Sequence, residues 1–157
     1  MYKLTLTAAK KLLEIAEERA RQLGLSSDIA IVDEGGNLVA FYRMDNARIA
    51  GIDIAQGKAW TSVAMQMPTA NLAQTALPGG ATYGINTTNQ GRLVILGGGI
   101  PLIDQGKVVG GIGVSGGTSA QDIDVANAAV QAFEKRQHPD NEYTRARIGS
   151  SRQFYNY

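Results

Sequence analysis

One run constrains the rest of the chain. Residues 97–126 read GGGIPLIDQGKVVGGIGVSGGTSAQDIDVA. Two short apolar stretches, 100–103 and 108–114, flank Asp104-Gln105-Gly106-Lys107, which predicts a β-hairpin with its glycine in the turn. Gly97, Gly98, Gly99, Gly110, Gly111, Gly113, Gly116 and Gly117 strip side chains from strands that ordinarily carry them, and glycine weakens a strand interior. Such a backbone is bare because something lies close against it: a packed helix, a partner subunit or a flat ligand. Beyond Gly116-Gly117 a helix begins, capped by Thr118 or Ser119. Ser119-x-x-Asp122 has capping-box spacing, and Ile123, Ala126, Val130 and Phe133 recur at helical spacing behind it.

A glycine-rich turn into a helix raises the question of a phosphate cradle. Gly111-x-Gly113-x-x-Gly116 matches the dinucleotide pattern. However, Asp122 and Asp124 occupy the first turns of the following helix, where they favour its dipole themselves and repel a pyrophosphate. Lys107 stands in a hairpin turn and the spacing is not that of a P-loop. A structural role for the glycines is the better reading.

A chain of 157 residues has room for one domain with a real core. We place that domain at residues 1–136, followed by a tail or arm over 137–157. The net charge of +1 supplies no basic field, so nucleic acid is a poor partner. With no cysteine, disulfides, thiolate metal sites and cysteine nucleophiles are excluded. No apolar run reaches the length of a membrane span or a signal peptide, so a cytoplasmic protein is expected.

Taken in order, Thr5 or Thr7 caps a first helix running to about Leu23, with Gly24 as its stop and Glu17 and Arg21 paired one turn apart. Strands over 28–33 and 38–43 enclose Glu34-Gly35-Gly36-Asn37, a second hairpin. Arg43 and Asp45 then stand at a strand end, either as ligand contacts or as a surface ion pair. A helix over 49–65 is buried along Ile52, Ala55, Ala59 and Val63, with Gly57 a close-contact point. Lys58, in a weakly polar stretch of that helix, is an anion-binding or haem-contacting cation, or a lysine whose stem lies on apolar surface with its ammonium in water. A short helix is expected over 69–74. Residues up to Gly91 form a long polar loop of the kind that serves as a lid or interface, and 92–96 returns as a short strand. The last helix ends near Arg136, and His138, the chain's sole histidine, opens the tail.

No HExxH, GxSxG, P-loop or Cys/His cluster is present, so zinc, serine-nucleophile and phosphoryl-transfer chemistry lack support. Asp33, Asp45, Asp104 and Asp122 are the carboxylates available as acids or bases, and no spacing brings two of them together. Catalytic residues are therefore not assigned.

Arg43-Met44-Asp45-Asn46-Ala47, Lys58-Ala59-Trp60-Thr61, Gly98-Gly99-Ile100-Pro101-Leu102, and residues 110–117 followed by Gln121-Asp122 together resemble the haem-binding, so-called haem-degrading domain family. That family includes glycolate-utilisation accessory proteins, and a related domain ends some cobalamin adenosyltransferases. The resemblance implies an α+β, profilin-like fold: a five-stranded antiparallel sheet with the first and last helices on one face and the middle helices on the other. It also implies a homo-oligomer and a haem or corrinoid ligand, contacted by Arg43, Met44, Asp45 and Lys58 in a site shaped by Gly98, Gly99 and Asp122. Where the family carries Asp-Gly-Ala, this chain has Asp45-Asn46-Ala47, and no histidine falls within the matched region. Tyr, Met, Lys or Thr would then hold a haem, with propionates on Arg43 or Lys58. The expected function is a tetrapyrrole-binding accessory protein in small-molecule catabolism. The alternatives are an enzyme acting on a small hydroxy acid or diol, with Lys58 as anion clamp and Asp45 or Asp122 as acid/base, and a structural oligomer subunit without a ligand.

Overall fold

The computed structural model describes residues 2–137. Residues 138–157, and with them His138 and all of the expected tail beyond Gln137, lie outside the described residues. Helix α1 (Leu6–Gln22) is followed by strands β1 (Asp28–Asp33) and β2 (Leu38–Arg43), then helices α2 (Ile49–Met65) and α3 (Thr69–Thr75). Strands β3 (Gly99–Asp104) and β4 (Lys107–Ser115) form the second hairpin and deliver the chain to α4 (Ser119–Gln137). The sheet is antiparallel throughout, in the order β2-β1-β4-β3, so β2 and β3 are its edges.

Local chemistry accounts for the boundaries. Thr5 Oγ1 accepts the Ala8 N–H and starts α1, and Gly24, at φ +70°, lets the chain leave it. In the first hairpin Asp33 Oδ1 accepts the N–H groups of Gly35 and Asn37, both at 2.9 Å. In the second, Gln105 and Gly106 both have positive φ, the two-residue turn that matches the twist of the flanking strands. The cap of α4 falls one residue earlier than the Ser119–Asp122 spacing suggests. Gln121 N–H donates to Thr118 Oγ1 and Thr118 N–H to Gln121 Oε1, a reciprocal capping box that frees the Asp122 carboxylate for other work.

The two faces of the sheet are covered differently. Ile29, Ile31, Leu102, Ile112 and Val114 pack against Leu12, Leu13 and Ala16 of α1 and Val125, Ala129 and Phe133 of α4. On the other face Ala30 and Val32 meet Ala55, Ala59 and Val63 of α2. Here the glycines find their reason. Gly99 and Gly113 are paired across the β3–β4 ladder and Gly111 lies two residues along, so the three line one strip of sheet. A Cβ on Gly113 would run into the Ala55 carbonyl and stand 2.5 Å from Ala59 N; on Gly111 it would stand 2.6 Å from Ser62 Oγ; on Gly99 it would meet the Lys58 carbonyl. The companion surface is the chain's own helix α2, laid backbone to backbone on the sheet.

The sheet has four strands, not five. Residues 92–96 do not pair: Val94 N–H donates to Thr61 Oγ1 at 3.0 Å and its side chain fills the notch at Gly57, so the segment runs along α2 instead of along a sheet edge.

Candidate functional site

Lys58 leaves the buried side of α2 with 2 % of its surface exposed. Its ammonium is not in water. Nζ donates to the Val114 carbonyl at 2.8 Å and to Asp122 Oδ2 at 2.9 Å, and Asp122 Oδ1 accepts the Gly117 N–H at 2.9 Å. Gly98, at φ +122°, closes over the pair, since a Cβ there would stand 2.8 Å from Asp122 Cβ and 3.1 Å from Lys58 Nζ. The cluster fastens α2, the end of β4 and the first turn of α4 to one another. An ion pair satisfied in this way binds an outside anion only by being broken.

Arg43, Met44 and Asp45 lie elsewhere, where β2 ends. They line a groove of about 410 Å³ between the free edge of β2 and α1, together with Phe41, Tyr42, Glu17 and Arg21. None of Lys58, Gly98, Gly99 and Asp122 borders it. The seven residues that the sequence groups as one site are therefore split into two places, one sealed and one open. In the groove, Arg43 donates to the Ala47 carbonyl at 3.1 Å, and the Met44 thioether accepts the Ser27 N–H at 3.4 Å. Arg21 is bound to Glu17 Oε1 at 2.6 Å and to Glu18 Oε2 at 2.9 Å; its pKa is raised by these bonds, first of all the one to Glu17. The Tyr42 hydroxyl makes no hydrogen bond among the described residues. Asn46 has φ +67°, a conformation asparagine tolerates better than other side-chain-bearing residues, which explains how this chain does without glycine there.

The sequence profile of the haem-degrading HbpS-like proteins matches residues 4–131. The chain belongs to that family. An uncharacterised 15.0 kDa protein of Citrobacter freundii, from the dhaT-dhaS intergenic region, is 40 % identical over 132 residues, which is 84 % of this chain and 93 % of the relative. The corrinoid adenosyltransferase PduO of the same organism is 39 % identical over 128 residues, 82 % of this chain, but the match spans only 38 % of that enzyme. Among solved structures, that of PduOC in complex with haem superposes with a TM-score of 0.80 at 38 % identity, covering 83 % of this chain and 95 % of that one.

One feature of this HbpS-like chain escapes sequence reading. Asp28, the first residue of β1, is fully buried; among the described residues neither of its carboxylate oxygens nor the neighbouring Ser27 Oγ has a hydrogen-bond partner. The carboxylate lies against Gly51 in the first turn of α2, and a Cβ on Gly51 would collide with it. Burial raises the Asp28 pKa, and the nearby Arg43 charge opposes that rise. Alternation along β1 assigns Asp28 to the α2 face, but only the fold buries it there. Among the described residues no group of three or more His, Cys, Asp or Glu could hold a metal ion, and no helix is long and apolar enough to cross a membrane.

Proposed function

We propose that the protein is a tetrapyrrole-binding accessory protein and that haem docks in the groove between α1 and the free edge of β2. The observation that carries this is the composition of the groove. Phe41 and Tyr42 offer aromatic surface, Met44 a thioether, and Arg43, bonded to the Ala47 carbonyl and in no ion pair among the described residues, stands as the cation for a propionate. The groove fits a haem without histidine: tyrosinate and thioether both ligate haem iron, and because Met44 is engaged with Ser27 N–H, the unspent Tyr42 hydroxyl is the ligand. Family membership and the haem complex of a relative 38 % identical support the reading. Lys58 and Asp122, which do not border the groove, do not touch the ligand. A role in small-molecule catabolism rests on the family alone.

Haem titration tests it. A Soret band should grow saturably at micromolar haem, with the charge-transfer bands altered in Tyr42→Phe and the affinity lowered about tenfold in Arg43→Gln. No spectral change with the intact protein, or identical spectra and affinity in both variants, removes the proposal.

A further inference from the structure

On the opposite side of the first hairpin lies a second hollow, of about 540 Å³, within the range of small-molecule sites. Asp53, Gln56, Gly57 and Trp60 face it from α2, and Asn89 to Arg92 enclose it from the long polar loop. The spacing 53, 56, 57, 60 puts those four on one stripe of the helix. The Gly36 turn closes the far side against the Trp60 ring.

The loop adopts a costly conformation to reach this place. Asn89, Gln90 and Gly91 have φ values of +49°, +58° and +74° in succession, a region glycine adopts freely, asparagine tolerates and glutamine rarely enters. The turn is held by Gly91 N–H on the Thr88 carbonyl and Arg92 N–H on the Asn89 carbonyl, and just beyond it the bond from Val94 N–H to Thr61 Oγ1 ties the chain to α2. The outcome is Arg92 stacked over the Trp60 ring, with its guanidinium carbon 4.1 Å from the ring centroid.

Arg92 and Asp53 border the same hollow, and among the described residues neither enters an ion pair. Neither side chain makes a hydrogen bond among the described residues. Gln56 spends its amide N–H on the Ile52 carbonyl at 3.1 Å, leaving its oxygen available beside Asp53. One end of the hollow thus offers unspent donors carrying positive charge on a flat, preorganised platform, and the other offers acceptors carrying negative charge. A neutral polyol leaves the Arg92 charge unmatched, and a phosphate dianion is repelled by Asp53. We propose that this hollow binds a small carboxylic acid that also carries an amino or hydroxyl group, its carboxylate on Arg92 and its second group on Asp53 and Gln56. The site is distinct from the haem groove and stands whether or not haem binds.

Trp60 is the chain's sole tryptophan, so its emission reports on the hollow directly. L-Alanine, L-glutamine, L-lactate and D-glycerate are titrated by fluorescence and calorimetry, with acetate, which lacks the second group, and glycerol, which lacks the carboxylate, as comparisons. At least one of the four acids should bind saturably, and acetate and glycerol at least about tenfold more weakly. Arg92→Gln and Asp53→Asn, both at exposed positions, should each weaken the responding acid about tenfold or more while keeping the far-UV spectrum and the haem titration of the parent. Absence of saturable binding up to about 10 mM overturns the proposal, as does acetate binding equally well or affinity indifferent to both substitutions.

Discussion

Lys58 stands where a lysine is tolerated only with a partner. Its ammonium and the Asp122 carboxylate, 3 % exposed, share a space that water does not enter, and the remaining oxygen of Asp122 is taken by the Gly117 N–H. Lys58→Met should therefore cost about 3–5 kcal/mol in urea denaturation, and Lys58→Met combined with Asp122→Leu markedly less, because the single change strands a buried charge and the double change removes it. A single-variant loss below about 1 kcal/mol would show that the pair does not hold α2 in place. Asp28 presents the opposite case, a buried carboxyl with no hydrogen-bond partner among the described residues. Its pKa is raised in the fold by burial, so over the pH range between its ordinary value and the raised one the folded chain keeps a proton that the unfolded chain has lost. Stability from this group is thus greatest in acid and falls as pH rises through the raised value. Asp28→Asn should stabilise the protein at pH 7 by about 1–2 kcal/mol, with the advantage gone below about pH 4. Equal effects at both pH values in chemical denaturation would contradict this.

Among the elements, α2 and the glycine strip of β3 and β4 define one another. Ala55, Ala59 and Ser62 are small on the helix where Gly99, Gly111 and Gly113 are bare on the sheet, and the close approach this allows lets the Lys58 side chain reach the Val114 carbonyl. Gly113→Ala drives a methyl onto the Ala55 carbonyl, which belongs to a helix backbone and cannot rotate aside. The substitution should lower stability by at least about 2 kcal/mol and, by displacing α2, alter the Trp60 emission of the folded protein. Unchanged stability and emission would mean that the helix rides higher on the sheet. Gly106→Ala offers the comparison, since nothing lies near that glycine and only its φ of +76° is offended. Element boundaries were legible because caps and turns are short-range: Thr5, Asp33, Gly24 and Gln105-Gly106 act on backbone groups within a few residues. Residues 92–96, whose apolar run predicts a strand, stay out of the sheet for the converse reason. Leu93, Val94 and Ile95 are apolar enough for a strand, but what decides is the Thr61 hydroxyl and the notch at Gly57, more than thirty residues away in sequence.

At the scale of the whole molecule, one sheet serves two unlike faces. The α1/α4 side is a broad apolar core; the α2 side is a tight seam of small residues and one ion pair. The open places lie at the margins, one groove at the β2 edge and the second hollow beyond the first hairpin. Residue order alone made plain the antiparallel hairpins and the helices that precede and follow them, since each follows from alternation, capping or turn chemistry between near neighbours; the side of the sheet each helix takes came only with the family resemblance. It also announced, through bare glycines, that something must lie against β3 and β4. Which body that was, and that Lys58 and Asp122 would neutralise each other in the interior while Arg92 and Asp53 form no ion pair among the described residues, depended on contacts between segments distant in the chain. Charge and size are written into each residue, but whether a charge is answered is a matter of what the folded backbone sets beside it.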